Sequence, residues 1–288
     1  MITFNPKEIS VPKMHGLLLD AVAPRPIAFA STIDLQGRVN LSPFSFFNVF
    51  SANPPIVVFS PARRGRDNST KHTYENVLKV PEVVINIVNY NMVHQTSLAS
   101  VEYPKGVNEF IKSGLTEVKS TMVKPPRVKE SPVAFECKVT QVIPLGDQGA
   151  AGNLVICEVL LMHVNENIIG ENGRIDPWKL DAVARMGQDY YCRAQGDNIF
   201  SVPKPGEKIK IGIDKLPEAI RNSKLFSMRE LAILANVEKL PFQGAPPASL
   251  NYELNQALAK ERLDKSDVDG AWKILIGQLN DTIDTSPP

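Results

Sequence analysis

The chain has 288 residues, 43% hydrophobic and 22% charged, with a formal net charge of +1. That composition suits a globular fold with room for a sizeable core. A charge near zero excludes a global field that would draw nucleic acid or an acidic membrane, so any basic cluster must act locally. No stretch approaches the ~18 apolar residues of a membrane span. The N-terminus, MITFNPKEISVPK, lacks the charged start and continuous apolar run of a signal peptide. The cysteines, Cys137, Cys157 and Cys192, are odd in number and widely spaced, which fits neither a disulfide framework nor a metal knuckle. Cys137 and Cys157 lie in apolar runs and read as buried thiols. The expectation is a cytoplasmic protein with no metal.

In chain order, residues 26–33, 55–60, 83–88, 133–143 and 153–165 read as strands, rich in Val, Ile and Phe and bounded by Pro, Gly or Asn. A turn at Asp34-Leu-Gln-Gly37 follows the first. Residues 70–79 read as a short helix that stops before Pro81, and a second helix is expected over 91–100. The last two strands flank Gly146-Asp-Gln-Gly-Ala-Ala-Gly152 and should form a long hairpin. Many strands with few helices between them predict a barrel or sandwich rather than a doubly wound sheet. Composition shifts at Pro203-Lys-Pro-Gly206. Beyond it, Ser227-Met-Arg-Glu230 matches a capping box. Leu250, Leu254 and Leu258, then Trp272, Leu275, Ile276 and Leu279, recur at helical spacing. The chain therefore divides into residues 1–203 and an α-helical extension, 204–288.

Four groups of residues carry chemistry. Ser31, Thr32, Asn40, Leu41, Ser42, Pro43, Phe44 and Ser45 mix small polar groups with aromatics. A flat cofactor with one polar and one apolar edge asks for that mixture, although the same residues also make ordinary turns. Arg63, Arg64, Arg66, Lys71, His72 and Thr73 precede a helix, whose first N–H groups and dipole favour a phosphate. The alternative is a solvated loop, and the three arginines cannot all be ligands. Residues 95–116, too long for a simple strand connection, hold Glu109 and Phe110. His163 stands near the end of a strand, where it either faces a cofactor or is a satisfied structural residue. GxGxxG, P-loop, CxxC, GxSxG and HExxH motifs are absent from the sequence.

The order of these blocks resembles the flavin-reductase-like family. Pro24-Arg-Pro-Ile27, Ser31-Thr32, the Gly37 turn and Asn40-Leu-Ser-Pro-Phe-Ser45 match its opening. Thr96-Ser97, Pro104-Lys-Gly-Val-Asn-Glu-Phe110, Gly114-Leu-Thr116, Glu130-Ser-Pro132 with Glu136-Cys137, and Arg185-Met-Gly-Gln-Asp-Tyr190-Tyr191 match later blocks. The match spans about residues 10–195. Lys71-His72-Thr73 departs from the family's Lys-Asp-Thr, which removes an acid.

The resemblance implies a mainly β fold with α elements: an FMN-binding split β-barrel, carrying here a C-terminal α-helical extension. It implies FMN held by the first group together with Ser60, Arg63, Lys71, Thr73 and His163, with no side chain needed as a catalytic acid, base or nucleophile. Glu109 and Phe110 would reach the ring site of a neighbouring subunit in a homodimer, or else belong to a folded surface excursion. Arg185 would close the ring site or pair with a carboxylate. NAD(P)H is the implied electron donor, and a free flavin or a partner such as a monooxygenase the acceptor. The competing readings are a flavoredoxin-like FMN electron carrier and a non-redox interaction scaffold.

Overall fold

The computed structural model describes residues 1–278, and Leu279, the last residue of the predicted helical repeat, lies outside the described residues. The chain divides into two compact units, one over residues 1–200 and one from Ser201 onward.

In the first unit, helix α1 (Val11–Ala21) precedes four strands: β1 (Ala28–Ile33), β2 (Val39–Phe44), β3 (Phe47–Ala52) and β4 (Pro55–Phe59). Helix α2 (His72–Lys79) leads into β5 (Glu82–Ile87). Short helices α3 (Val93–Leu98) and α4 (Glu109–Ser113) and a small ladder of β6 (Glu117–Val118) with β7 (Arg127–Val128) follow. Then come the long hairpin of β8 (Val133–Pro144) and β9 (Asn153–Val164), helix α5 (Pro177–Leu180), and a hairpin of β10 (Val183–Gly187) and β11 (Tyr190–Arg193). The strands expected over 26–33, 55–60, 83–88, 133–143 and 153–165 are all present. The helices expected over 70–79 and 91–100 are present in shorter form.

Seven strands make one antiparallel sheet, in the order β2-β1-β5-β8-β9-β4-β3. The two edge strands, β2 and β3, are consecutive in sequence. The step from Phe44 to Phe47 spans at most about 11 Å. A flat sheet with seven strands would set its edges about 29 Å apart. The sheet must therefore roll until its edges approach, and β2 and β3 do not pair with each other. The result is a split barrel.

The interior of the roll holds Ala28, Ala30, Phe44, Phe59, Val83, Ile85, Cys137, Val139, Val155 and Cys157, with Val77 of α2 closing it. A second cluster lies on the opposite face of β1 and β2. There Phe29 and Leu41 meet Met92, Phe110, Leu115 and Val183. Strand β1 is thus covered on both sides, and each of its six residues is buried, which is why AFASTI reads as a near-continuous small and apolar run. Cys137 and Cys157 are free and buried, as expected. Burial pushes the Cys137 thiol up to about 12.

The second unit is helical: α6 (Glu218–Arg221), α7 (Met228–Leu234), α8 (Glu253–Asp264) and α9 (Val268–Leu275). Ser227 and Glu230 form the predicted capping box on α7. The unit has its own core, built on Ile220, Leu234, Leu250, Leu263, Trp272 and Leu275. Trp272 Nε1 donates to the Leu234 carbonyl at 3.2 Å, so the indole is packed and paired together. No helix among the described residues is long and apolar enough to cross a membrane.

Because each unit has a separate core, damage to one should stay local. Leu234→Ala should destabilise the second unit by about 2–5 kcal/mol through transfer and cavity terms. Hydrogen exchange should then report faster opening of α7–α9 with unchanged protection in β1 and β8.

Candidate functional site

The roll brings β2 beside the start of α2, and a polar bracket ties them. Asn40 Nδ2 donates to Thr73 Oγ1 at 3.0 Å. Asn76 Nδ2 donates to Thr32 Oγ1 at 3.1 Å, and Thr32 is the cross-strand partner of Asn40. Four side chains from β1, β2 and α2 thus fix the first turn of α2 against the sheet. Ser42, on the same face of β2 as Asn40, lines the recess in front of that turn together with Thr73, Lys71, Arg64 and Glu109.

This recess shares Arg64, Lys71 and Glu102 with a neighbouring cleft of about 670 Å3. Its walls are Val11, Pro12 and His15 of α1, residues Ala62–Arg66, Lys71, Glu102, and Gly149–Ala150 from the tip of the β8–β9 hairpin. The hairpin tip braces the basic loop through backbone bonds: Arg63 N to Ala151 O at 2.9 Å and Ala150 N to Arg63 O at 3.1 Å. Gly149 allows that approach. A Cβ there would meet the Gly65 and Arg64 carbonyl oxygens at 3.1 and 3.2 Å.

The charges in the cleft converge. Glu102 takes Lys71 Nζ at 2.7 Å, Arg64 Nε at 2.7 Å and an Arg66 guanidinium nitrogen at 2.5 Å. The bond from Lys71, aided by Arg64 and opposed by burial, holds the Glu102 carboxyl down at about 2. Lys71 stands at the N-cap of α2, and its side chain does not cap the helix. His72, where the family has an acid, is pushed below its ordinary value by burial, with Glu75 opposing and Arg64, Lys105 and Lys71 adding to the drop. It therefore brings no charge to the cluster near neutral pH.

The other expected site residues divide by location. Ser31, Leu41 and Phe44 are buried, Phe44 inside the roll and Leu41 in the cluster on the opposite face, and Ser31 Oγ has no hydrogen-bond partner among the described residues. Pro43 is half-buried in β2. Ser45, at the β2–β3 corner, accepts a long 3.5 Å bond from Arg25. Ser60 Oγ accepts from Asn153 N at 2.9 Å and ties β4 to β9. The Arg63 guanidinium turns onto Asn68 at 2.6 and 2.8 Å, while the neighbouring Arg64 faces Lys71 and Glu102.

His163 lies apart from these residues, in a separate groove with Arg127 and Lys129. Its Nε2 is 2.6 Å from Glu136. Glu136 is buried and also accepts the backbone N–H groups of Thr121, Met122 and Val123. Burial opposes its charge, yet these bonds together hold its pKa below the usual range.

Glu109 and Phe110 are anchored within their own chain. Phe110 is in the core, and Glu109 Oε2 accepts the N–H of Leu41 at 2.9 Å. That bond satisfies a donor which edge strand β2 turns away from β1. Arg185 stacks over Tyr191 at 4.6 Å from the ring centre rather than pairing with a carboxylate. Sequence reasoning did not place Glu102, His15 or the glycine-rich hairpin tip at the site. Among the described residues there is no group of His, Cys, Asp or Glu that could hold a metal ion.

The comparisons with known proteins agree with this architecture. Residues 21–179 match the family model described as "Flavin reductase like domain". The chain belongs to the flavin-reductase-like family. An uncharacterised protein from Aquifex aeolicus is 39% identical over 194 residues, covering 67% of this chain and 96% of that protein. Nitrilotriacetate monooxygenase component B from Bacillus cereus is similar in structure, with a TM-score of 0.65 and 30% identity over 70% of this chain and 98% of that one. The flavoredoxin of Desulfovibrio vulgaris (Miyazaki F) shares the fold, with a TM-score of 0.52 and 21% identity over 62% of this chain and 91% of that one.

Glu109 supplies a pH test of this arrangement. Its burial raises its pKa above the ordinary carboxylate value. Below the ordinary value the folded and unfolded chains both hold the proton. As pH rises through the window up to the raised value, only the folded chain keeps it, so stability falls with pH. Glu109→Gln retains an acceptor for Leu41 N–H without the charge. Urea midpoints from pH 4 to 7 should show the variant gaining on the wild type as pH rises.

Proposed function

We propose that this protein binds FMN in the cleft beside the N-terminus of α2, with the adjoining recess at Asn40 and Ser42, and acts as a flavin reductase. The observation that carries this reading is the donor set: Lys71 and Arg64 beside the N-terminus of α2, next to Ser42 and the Asn40–Thr73 pair. The first N–H groups of an α-helix have no intrahelical acceptor, and with adjacent cations they suit a phosphate group. Ser42 and Asn40 offer hydrogen bonds of the kind the ring's polar edge needs. The apolar residues of α1 offer packing for the rest. The residues present therefore fit FMN. The chemistry FMN supplies in this reading is acceptance of hydride from NAD(P)H and delivery of electrons to a free flavin or a partner monooxygenase. The chain itself contributes position and charge, with no side chain acting as acid, base or nucleophile. The likeness to a monooxygenase component supports a partner monooxygenase. Buried, un-ionised Cys137 and Cys157 suit a reducing cytoplasm.

Purified protein mixed with FMN and then NADH or NADPH should lose flavin absorbance under anaerobic conditions. A protein that takes FMN and leaves both nucleotides unoxidised would instead be an electron carrier. Removing one partner of a desolvated charge contact costs about 2–5 kcal/mol. Lys71→Ala should therefore weaken FMN binding about thirtyfold or more. An unchanged dissociation constant would remove Lys71 from the site.

The same proposal includes a homodimer. Val49 and Phe50 are 67% and 69% exposed on edge strand β3. An apolar sheet edge of this kind is a surface for pairing. Light scattering at micromolar concentration should give twice the chain mass for the wild type and the single-chain mass for a Val49→Asp, Phe50→Asp variant.

A further inference from the structure

The convergence of three cations on one carboxylate goes beyond a phosphate site. Arg64, Arg66 and Lys71 all point to Glu102, at 2.5–2.7 Å. A carboxylate and a phosphate ask the same of such donors: short, charge-assisted N–H···O bonds. Two anions cannot both be held there at full strength, because like charges a few ångströms apart oppose each other. Glu102 belongs to neither α3 nor α4 but to the irregular segment between them. Its side chain is 31% exposed, so it has a route out toward solvent. It lines both the recess and the larger cleft, together with Arg64 and Lys71.

We infer that Glu102 is a built-in competitor for the phosphate group, which keeps the flavin exchangeable. The inference rests on the reading of the cleft as the flavin phosphate site. Glu102 holds the three cations together against their mutual repulsion, so the donor set stays assembled. The binding of any phosphate ester must first displace it, and the apparent affinity falls by the free energy of that displacement. A protein built this way takes up and gives back its flavin. That is the behaviour of a reductase for which flavin is a diffusible substrate, rather than of a carrier with a fixed prosthetic group.

The test compares FMN binding to the wild type, Glu102→Gln and Glu75→Gln, read as flavin fluorescence quenching and stopped-flow dissociation. Glu75 is a nearby carboxylate bonded to Lys105 and Thr70, so its variant controls for a general loss of negative charge. Glu102→Gln should bind FMN at least tenfold more tightly, with slower dissociation, while Glu75→Gln changes affinity less than threefold. Unchanged or weaker binding in Glu102→Gln would overturn the inference, because the carboxylate would then only position the cations. Equal tightening in the two variants would overturn it as well. Inorganic phosphate provides an arm independent of the flavin. If the wild type takes no FMN, the flavin reading of the cleft fails. The role of Glu102 is then decided by whether phosphate raises the melting temperature of Glu102→Gln more than that of the wild type, and equal shifts would overturn it.

Discussion

The short step from Phe44 to Phe47 is the constraint on which this architecture depends. Three peptide units connect the two outermost strands of a seven-stranded sheet, and no flat sheet can accommodate that. Rolling follows, and with it an interior that must be filled. Small residues on β1, the buried thiols of β8 and β9, and Val77 of α2 fill it. Helix α2 is thereby fixed across β1 and β2, and its N-terminus comes to face the same side as Asn40 and Ser42. The candidate site is a by-product of closing the sheet.

Polar groups then settle what apolar packing leaves open. The burial of Val77 sets which face of α2 turns inward but leaves its axial position loose. The Asn40–Thr73 and Asn76–Thr32 bonds fix that position, since each buried amide or hydroxyl left unpaired costs about 1–3 kcal/mol. Glu109 does the equivalent work on the outer margin of β2, where the buried Leu41 N–H has no neighbouring strand. In both cases a sequence-distant side chain supplies the missing partner, and the site's rigidity comes from those long-range pairs.

Strands β1, β4, β5, β8 and β9 were legible as runs rich in Val, Ile and Phe between turn residues, and the β8–β9 hairpin because its glycine-rich loop has no helical periodicity; the edge strands β2 and β3 were not, because Asn40, Ser42, Pro43 and Asn48 interrupt their apolar runs. Helix α1 was not legible: none of its residues is buried, so it leaves no clear amphipathic stripe. The β10–β11 hairpin passed unnoticed for a similar reason, as four-residue and five-residue strands carry little alternation. In the site, the gathering of Lys71, Thr73, Asn40 and Ser42 around one recess could be anticipated through family resemblance. Which of Arg63 and Arg64 turns inward could not, because it depends on Asn68 accepting from Arg63. Glu102 is 31 residues from Lys71, in a segment with no periodic pattern, and only folding brings them together. His163 shows the converse: its strand was read correctly, but its partner, Glu136, faces the loop at 121–123 and not the cleft.

That loop has a further property. Thr121, Met122 and Val123 turn their N–H groups toward one buried carboxylate, with Arg127 and His163 beside it. The segment is wrapped around an internal anion, the mirror image of loops that wrap their carbonyls around a calcium ion. One charge supplied by the chain accepts the N–H groups of all three residues. Because bonding holds the Glu136 pKa below its unfolded value, that contribution is present above the ordinary carboxylate range and is lost as pH falls through the lowered value. Acid would thus discharge the centre and release this loop while the apolar interior of the barrel, which carries no such dependence, stays closed.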